Sequence, residues 1–460
     1  MTEVSFPPDT IFALASAPGR AGVAVIRVSG PAAGSMVLAV CGFNDLPVPR
    51  RAIRCRMVDP EDQSPLDDGL VIWFAAPASF TGEDIAELHI HGGRATVEAV
   101  TSMLATLPGL RLAEPGEFSK RAFLSGKIDL TEAEAIADLV DAGADAQRRQ
   151  ALAQLGGGLA EQLEAWRADL IDILAHTEAW IDFPDEDLPA DVEQVAHARI
   201  SALAAEIRAF LDDNRRGERL RDGFQIAILG APNAGKSSLL NAIASRDAAI
   251  VSATAGTTRD VIEVHLDLGG WPVTIADTAG LRDAAHDIER EGVRRALERA
   301  VDADLRLVVF DASCAPDPAS VAQLAGKGDV IGAGDYALAI ANKADLVDAP
   351  PVTIGGVSTL GISAKTGEGV PVLLRRLEGL ASETMAGGEG VALTRLRHRT
   401  ALIDSAAALD RAALVGAGAG DSELVAEGLR VAARALGRVT GRVDVEDLLD
   451  VIFNEFCIGK

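Results

Sequence analysis

The segment that most constrains the fold is Gln225-Ile-Ala-Ile-Leu229, an apolar strand that runs into Gly230-Ala-Pro-Asn-Ala-Gly235-Lys236-Ser237 and then into helical sequence, Ser238-Leu-Leu-Asn-Ala-Ile243. Strand, glycine-bounded loop and helix in that order describe a phosphate-binding loop at the carboxyl end of a strand in a parallel sheet. Gly230 and Gly235 let the backbone curl so that its N–H groups point inward at phosphates. Asn233, Ala234 and Ser238 extend that stretch. Lys236 suits the β- and γ-phosphates, and the Ser237 hydroxyl suits Mg²⁺. From Phe224 to about Leu377 β and α signals alternate, as in a sheet with helices on both faces.

Three shorter elements follow in the order a guanine-nucleotide site requires. Asp277-Thr278-Ala279-Gly280 ends the strand Val273–Ala276, so Asp277 can hold the metal through water and Gly280 can offer an N–H to the γ-phosphate. Asn342-Lys343-Ala-Asp345 follows the strand Ala337–Ala341, and Ser363-Ala364-Lys365 supplies a last base-binding element. A carboxylate at Asp345 accepts two hydrogen bonds from guanine N1 and N2, whereas adenine would leave it desolvated and unpaired. Between the loop and Asp277 lies Thr254-Ala-Gly256-Thr257-Thr258-Arg-Asp260, in which Thr258 is the candidate to complete the Mg²⁺ shell. Leu281 stands where a Ras-like enzyme carries a water-orienting glutamine. Glu289 lies downstream, and spacing alone leaves it either a water-positioning group or a solvated helix residue.

The rest of the 460-residue chain asks for more than one core. Short strands Ile11–Leu14, Val23–Val28, Gly69–Phe74 and Glu87–Ile90, with a helix over Ala95–Leu107, describe a mixed α/β domain. From Thr131 the period becomes helical, with Leu159, Leu163, Trp166, Leu170 and Ile173 on one face, and Val192–Leu211 is similar. Asn214–Gly223 reads as an exposed hinge, and helical sequence resumes over Leu393–Leu449. The α/β unit is therefore expected to be inserted in a helical domain whose two parts rejoin. No apolar run reaches the ~18 residues of a membrane span, and Met1–Thr10 shows no secretory signal. Four scattered cysteines, Cys41, Cys55, Cys314 and Cys457, suggest neither a metal site nor a disulfide framework, so a cytoplasmic location is expected. The net charge of −25 opposes non-specific association with nucleic acid, leaving only a local basic patch for such a partner.

Gly256-Thr-Thr-Arg-Asp260 and the phosphate loop resemble the Era, Der and MnmE group of GTPases. The flanks resemble the MnmE (TrmE) family of tRNA modification GTPases: Ala17-Pro-Gly-Arg through Ser29-Gly30, Ser79-Phe-Thr-Gly-Glu-Asp84, His91-Gly-Gly93, Glu114-Pro-Gly-Glu-Phe-Ser119, Arg121-Ala-Phe-Leu124, Asp182-Phe-Pro-Asp185 and the terminal Phe456-Cys-Ile-Gly-Lys460. The resemblance implies a multidomain chain. An α/β tetrahydrofolate-binding and homodimer-forming domain would span 1–125, and an all-α helical domain 126–220 and 381–460. A P-loop α/β GTPase domain would be inserted at 221–380. It implies that potassium takes the place of an arginine finger, held by Asn233, Ser252, Thr254 and Thr257, and that Glu289 positions water. It assigns Arg27, Glu87, Lys127 and Lys460 to a one-carbon tetrahydrofolate, 5-formyl- or 5,10-methylene-substituted. The implied chemistry adds an aminomethyl or carboxymethylaminomethyl group to the wobble uridine of certain tRNAs, jointly with a flavin-containing partner, MnmG. GTP hydrolysis would drive a conformational change rather than the carbon transfer itself. The competing reading is a GTP-dependent switch in ribosome assembly, like Era or Der. A second GTPase domain or an RNA-binding appendix would favour it, and the sequence after Leu377 suggests neither. A purely structural dimerisation protein is disfavoured by Lys236, Ser237 and Asp345.

Overall fold

The computed structural model describes residues 9–182, 192–245, 249–250, 263–277, 303–324, 336–387, 391–416, 422–443, 449, 452–453, 456 and 458–459. The chain forms two compact units, 1–137 with 437–460, and 138–436. No helix among the described residues is long and apolar enough to cross a membrane.

In the first unit, strands β1 (Thr10–Leu14), β2 (Ala21–Ser29), β3 (Ala52–Val58), β4 (Pro65–Phe74), β5 (Ile85–Gly92) and β6 (Leu110–Leu112) form one sheet in the order β3-β4-β5-β2-β1-β6. Neighbours are antiparallel except β1 with β6. Alternation along the strands decides what each face carries. Ala24, Ile26 and Val28 on β2, with Ala86, Leu88 and Ile90 on β5, are buried in a core that includes Val37 and Val40 of the helix Ala33–Cys41 and Val100 and Leu104 of Arg94–Thr106. Arg27, Glu87 and His89 therefore point off the other face. Beyond the helices Glu117–Leu124 and Leu130–Asp141, the C-terminal segment returns to this unit. Phe453 and Phe456 pack with Leu130 and Phe123, and Ile458 bridges Pro115.

Arg121, almost fully buried, joins three carboxylates. Its guanidinium donates to Asp9 Oδ1 and Glu117 Oε1 at 2.9 Å each, and to Glu83 at 3.2 Å. Burial by itself would raise the Glu117 carboxyl, but hydrogen bonds from Arg111, the Glu114 backbone and Arg121 outweigh it and hold it below the usual carboxylate range. Its stabilising share is thus present above the unfolded-state value and is lost as pH falls through the lower, folded one. Arg121→Met is expected to cost roughly 3–5 kcal/mol, the range for breaking a buried ion pair by removing one partner. Urea denaturation at neutral pH checks this, and a change below about 1 kcal/mol would contradict it.

In the second unit, strands β7 (Phe224–Leu229), β8 (Ala249–Ile250), β9 (Glu263–Leu268), β10 (Trp271–Asp277), β11 (Leu305–Asp311), β12 (Tyr336–Asn342), β13 (Thr353–Ile354) and β14 (Val357–Gly361) form a sheet ordered β13-β14-β12-β11-β7-β10-β9-β8. Its centre, β14-β12-β11-β7-β10, is parallel. The central strands β7, β11 and β12 are mostly apolar because both faces are covered. Phe224, Ile226 and Ile228 pack with residues of the helices Lys236–Ala244 and Val370–Met385, while Ala227, Leu229 and Phe310 pack with Val321 and Leu324 of Pro318–Leu324.

The helical sequence on either side of this sheet joins. The expected stripe Leu159, Leu163, Trp166, Leu170 and Ile173 is buried within the helix Gly158–Asp182. Val192–Leu211 packs along Leu396–Gly416, and His197 Nε2 donates to the Ala413 carbonyl. Arg430 of Ser422–Thr440 pairs with Glu178 at 2.9 Å. The P-loop unit is thus an insertion between two parts of one helical domain. One expectation fails: Asn214–Gly223 is no exposed hinge. Arg216–Asp222 is a helix with Gly217 and Glu218 buried, and Leu220 packs against the core of the eight-stranded sheet. The cause is distant in sequence. Arg399 donates to Glu218 Oε1 at 2.7 Å and to Asp213 Oδ1 at 2.6 Å, so charges that look solvent-directed are paired inside the fold.

Candidate active site

The phosphate loop leaves the carboxyl end of β7 and enters the helix Lys236–Ala244. Gly230, at φ +135°, passes so close to β11 that an added Cβ would lie 2.2 Å from the Val309 carbonyl oxygen. Gly235, at φ +91°, caps the helix in the left-handed region, and a Cβ there would meet Asn342 Nδ2 at 2.2 Å. Only glycine fits either place, which gives the loop its inward-curled backbone. Asn233 also has positive φ, 62°, and is exposed beside the buried Ala234. Lys236 is buried, and its ammonium donates to the Gly230 and Ala231 carbonyls at 2.9 Å each. Ser237 and Ser238 are exposed on the helix's first turn.

The remaining described elements reach the same edge because their strands are parallel to β7. Asp277 ends β10 opposite Ile228, and Asn342 ends β12 opposite Asp311 of β11. Asn342 is buried and ties the end of β12 to two loops: its Nδ2 donates to the Ala234 carbonyl at 2.9 Å and its Oδ1 accepts from the Ala364 N–H at 3.0 Å. It braces the loop of residues 230–237 against the loop that carries Ala364, where the sequence places a base-binding element. Ser363 is fully buried, and its hydroxyl accepts from the Thr366 N–H at 3.1 Å. The Ala344 N–H donates to the Ile362 carbonyl at 2.9 Å, interlocking the two base elements and leaving Asp345 exposed in a 3-10 turn. Lys365 follows in the turn before the helix Val370–Met385.

Sequence reasoning missed Asp311, at the end of β11. It accepts from Lys343 Nζ at 2.6 Å and from the Ser313 hydroxyl at 2.6 Å. Burial would raise its carboxyl, but the Lys343 and Ser313 hydrogen bonds outweigh that and hold it below the usual range. Lys343 has φ 63°, so the pair holds an unusual backbone turn under Asp345. An aspartate closing an apolar strand, Leu305–Asp311, was the available signal. Ser252, Thr254, Gly256, Thr257, Thr258, Thr278, Ala279, Gly280 and Glu289 lie outside the described residues.

A second charged cluster lies on the open face of the first unit's sheet. Arg27 and Glu87 are direct partners across β2 and β5, with Arg27 Nη2 2.9 Å from Glu87 Oε1. The guanidinium carbon sits 5.8 and 5.7 Å from the ring centroids of Phe80 and Phe118. His89, which sequence reasoning missed, joins them: its Nε2 is buried, 3.5 Å from Glu87 Oε2, with no hydrogen-bond partner. The i, i+2 spacing of Glu87 and His89 on one strand was the signal. Lys127 follows the helix Glu117–Leu124, and an added Cβ at Gly82 would lie 3.2 Å from its Cε. Lys127 and Arg27 therefore border the same loop, which carries Phe80 and Gly82. Lys460 lies outside the described residues.

The profile of the MnmE helical domain matches residues 130–457, and that of the GTP-binding protein TrmE N-terminus matches 10–127. The tRNA modification GTPase MnmE of Paramagnetospirillum magneticum is 57% identical over 98% of this chain and 100% of its own. That of Parvibaculum lavamentivorans is 56% identical over 98% and 100%, and that of Rhodospirillum rubrum 54% over 98% and 99%.

Proposed function

The chain belongs to the MnmE family of tRNA modification GTPases, and from that premise we propose that its GTP turnover depends on potassium. We propose further that turnover serves, with the flavin-containing partner MnmG, the addition of an aminomethyl or carboxymethylaminomethyl group to position 5 of the wobble uridine of certain tRNAs. The chain hydrolyses GTP to GDP and phosphate in tRNA modification. The observation that carries the GTPase reading is the convergence of Lys236, Asn342, Ala364 and Asp345-bearing loops at one edge of a parallel sheet.

Lys236 and the inward N–H groups of residues 233–238 hold the β- and γ-phosphates, and Asp345, with Asn342, Lys343, Ser363, Ala364 and Lys365, frames guanine. Ser237 and Thr258 would ligate Mg²⁺, with Asp277 as a further ligand through water and Thr278–Gly280 near the γ-phosphate. Magnesium, when bound, neutralises charge developing on the phosphoryl oxygens. The exposed Ser237 hydroxyl on the first helical turn suits that ion. Asn233, Ser252, Thr254 and Thr257, beside Gly256, offer oxygens to potassium, and the exposed Asn233 in its left-handed turn is free to do so. Glu289 orients the attacking water, which Leu281 cannot do. Arg27 and Glu87 of the 1–125 domain, with Lys127 and Lys460, would hold a one-carbon tetrahydrofolate. The aromatic walls Phe80 and Phe118 and the unpartnered His89 Nε2 suit a flat ring bearing polar atoms. That domain also pairs two copies of the chain in the cytoplasm. The helical domain spans 126–220 and 381–460, around the GTPase domain at 221–380.

GTP turnover by the purified protein with Mg²⁺, in potassium against sodium salts, tests the potassium dependence. An arginine finger is worth roughly 10³–10⁵ in rate, so a replacement ion should give a gain on the order of 10² or more. Equal rates in both salts would remove potassium from the mechanism.

A further inference from the structure

Cys41 ends the helix Ala33–Cys41, Cys55 lies in β3, and their sulfurs are 3.3 Å apart. Both are free thiols buried in the first unit's core, 7% and 6% exposed. We infer that Cys41 and Cys55 form a dithiol modification site, which a small hydroperoxide converts into an intramolecular disulfide linking the helix to the edge strand of the sheet.

Thirteen intervening residues, Gly42 to Arg54, hid the pair in the sequence; the packing of the helix on β3 brings it together. A covalent S–S bond of about 2.05 Å needs the sulfurs to close by roughly 1.3 Å. A buried thiol is ordinarily just a small apolar group. This pair differs because each sulfur faces the other at hydrogen-bonding distance. A metal does not account for the pair: among the described residues no three His, Cys, Asp or Glu side chains are grouped to hold one. Burial also keeps a second protein's thiol away, whereas a hydroperoxide is small and Cys41 adjoins the exposed Gly42.

The two thiols are not equivalent. The hydrogen bond with Cys55, and then burial, push the Cys41 thiol far up, and the same hydrogen bond lowers Cys55. Either sulfur, once ionised, is held by the other's S–H, and a thiolate at Cys55 attacks as follows. Its thiolate takes the outer oxygen of the hydroperoxide ROOH. The O–O bond breaks, ROH leaves with the proton that Cys55 released, and Cys55 becomes a sulfenic acid. The Cys41 sulfur then attacks that of Cys55. The S–O bond breaks, and hydroxide leaves with the Cys41 proton as water. Two thiols and one hydroperoxide give one disulfide, one ROH and one water, the sulfurs losing two electrons and the peroxide gaining them. The bond closes the loop of residues 42–54 and anchors β3, which among the described residues has a strand neighbour, β4, on one side only. β3 belongs to the sheet that carries Arg27 and Glu87, so oxidation stiffens that sheet at its edge.

The test uses the full chain, treated with hydrogen peroxide, quenched, denatured, alkylated and mapped by peptide mass spectrometry. The expected product is a Cys41–Cys55 cross-linked peptide pair in a monomeric chain, two hydrogens lighter than the thiol form and reversed by dithiothreitol. The oxidised protein should also unfold a few degrees higher, because the closed loop restricts the unfolded chain. Cys41→Ser should leave Cys55 as a sulfenic acid trapped by dimedone. Recovery of Cys41 and Cys55 as separately alkylated peptides, under conditions that oxidise the exposed Cys314, would overturn the inference. So would a cross-link from either to Cys314 or Cys457. That mapping is read on the natural sequence and does not depend on any variant folding.

Discussion

Lys236→Met is expected to weaken GDP and GTP binding by a factor of about 10²–10⁴ and to remove most turnover. The ammonium is buried at the base of the loop, where it donates to the Gly230 and Ala231 carbonyls, and its reach covers the space those residues enclose. Hydrogen bonds to charged groups contribute about 1.5–3 kcal/mol each, so losing two to phosphate oxygens costs about 3–6 kcal/mol. Methionine keeps the apolar stem and the approximate volume, so the buried surroundings of the side chain are preserved. Titration with a fluorescent GDP analogue in the presence of Mg²⁺ measures the loss, and an unchanged thermal midpoint shows that it is local. A dissociation constant within threefold of the natural protein's would remove Lys236 from phosphate binding.

Asp345→Asn should produce a change of the same size with a different signature. Guanine N1–H and N2–H both donate to one carboxylate, and asparagine would present an amide nitrogen to one of them. Losing two charge-assisted bonds predicts a fall in guanine-nucleotide affinity of about 10²–10⁴. Xanthine carries an oxygen in place of the 2-amino group, so its nucleotides should gain relative to guanine. Asp345 is exposed, and the turn beneath it is held by Lys343, Asp311 and backbone hydrogen bonds. The substitution should therefore alter stability by less than about 0.5 kcal/mol. Competition between GDP and xanthosine diphosphate gives the readout; unchanged discrimination would mean that another group reads the base.

How these two sites were legible differs from how they are held. The loop Gly230–Ser237 could be recognised because wrapping a phosphate requires contiguous backbone, so its chemistry is written in adjacent residues. Asp345 was legible because its strand is a short apolar run ending at the motif. The helical stripe from Leu159 to Ile173 was legible because burial on one face imposes a period of 3.6. The short helix Arg216–Asp222 was not, because its arginines and Glu218 look solvent-directed until Arg399, 181 residues away, pairs with Glu218.

By itself, then, the order of residues determined the local chemistry: a glycine cradle, a lysine, an exposed carboxylate after an apolar strand, strand and helix periods, and a GTPase unit between helical flanks. Tertiary structure alone decided which side chains hold that chemistry in place. Asn342 joins two loops through bonds to Ala234 and Ala364, Asp311 steadies Lys343 across neighbouring strands, His89 meets Glu87, and Cys41 faces Cys55. Most of these pairings depend on strand order and on how helices lie on sheets, which many distant apolar contacts set together and no local window of sequence contains.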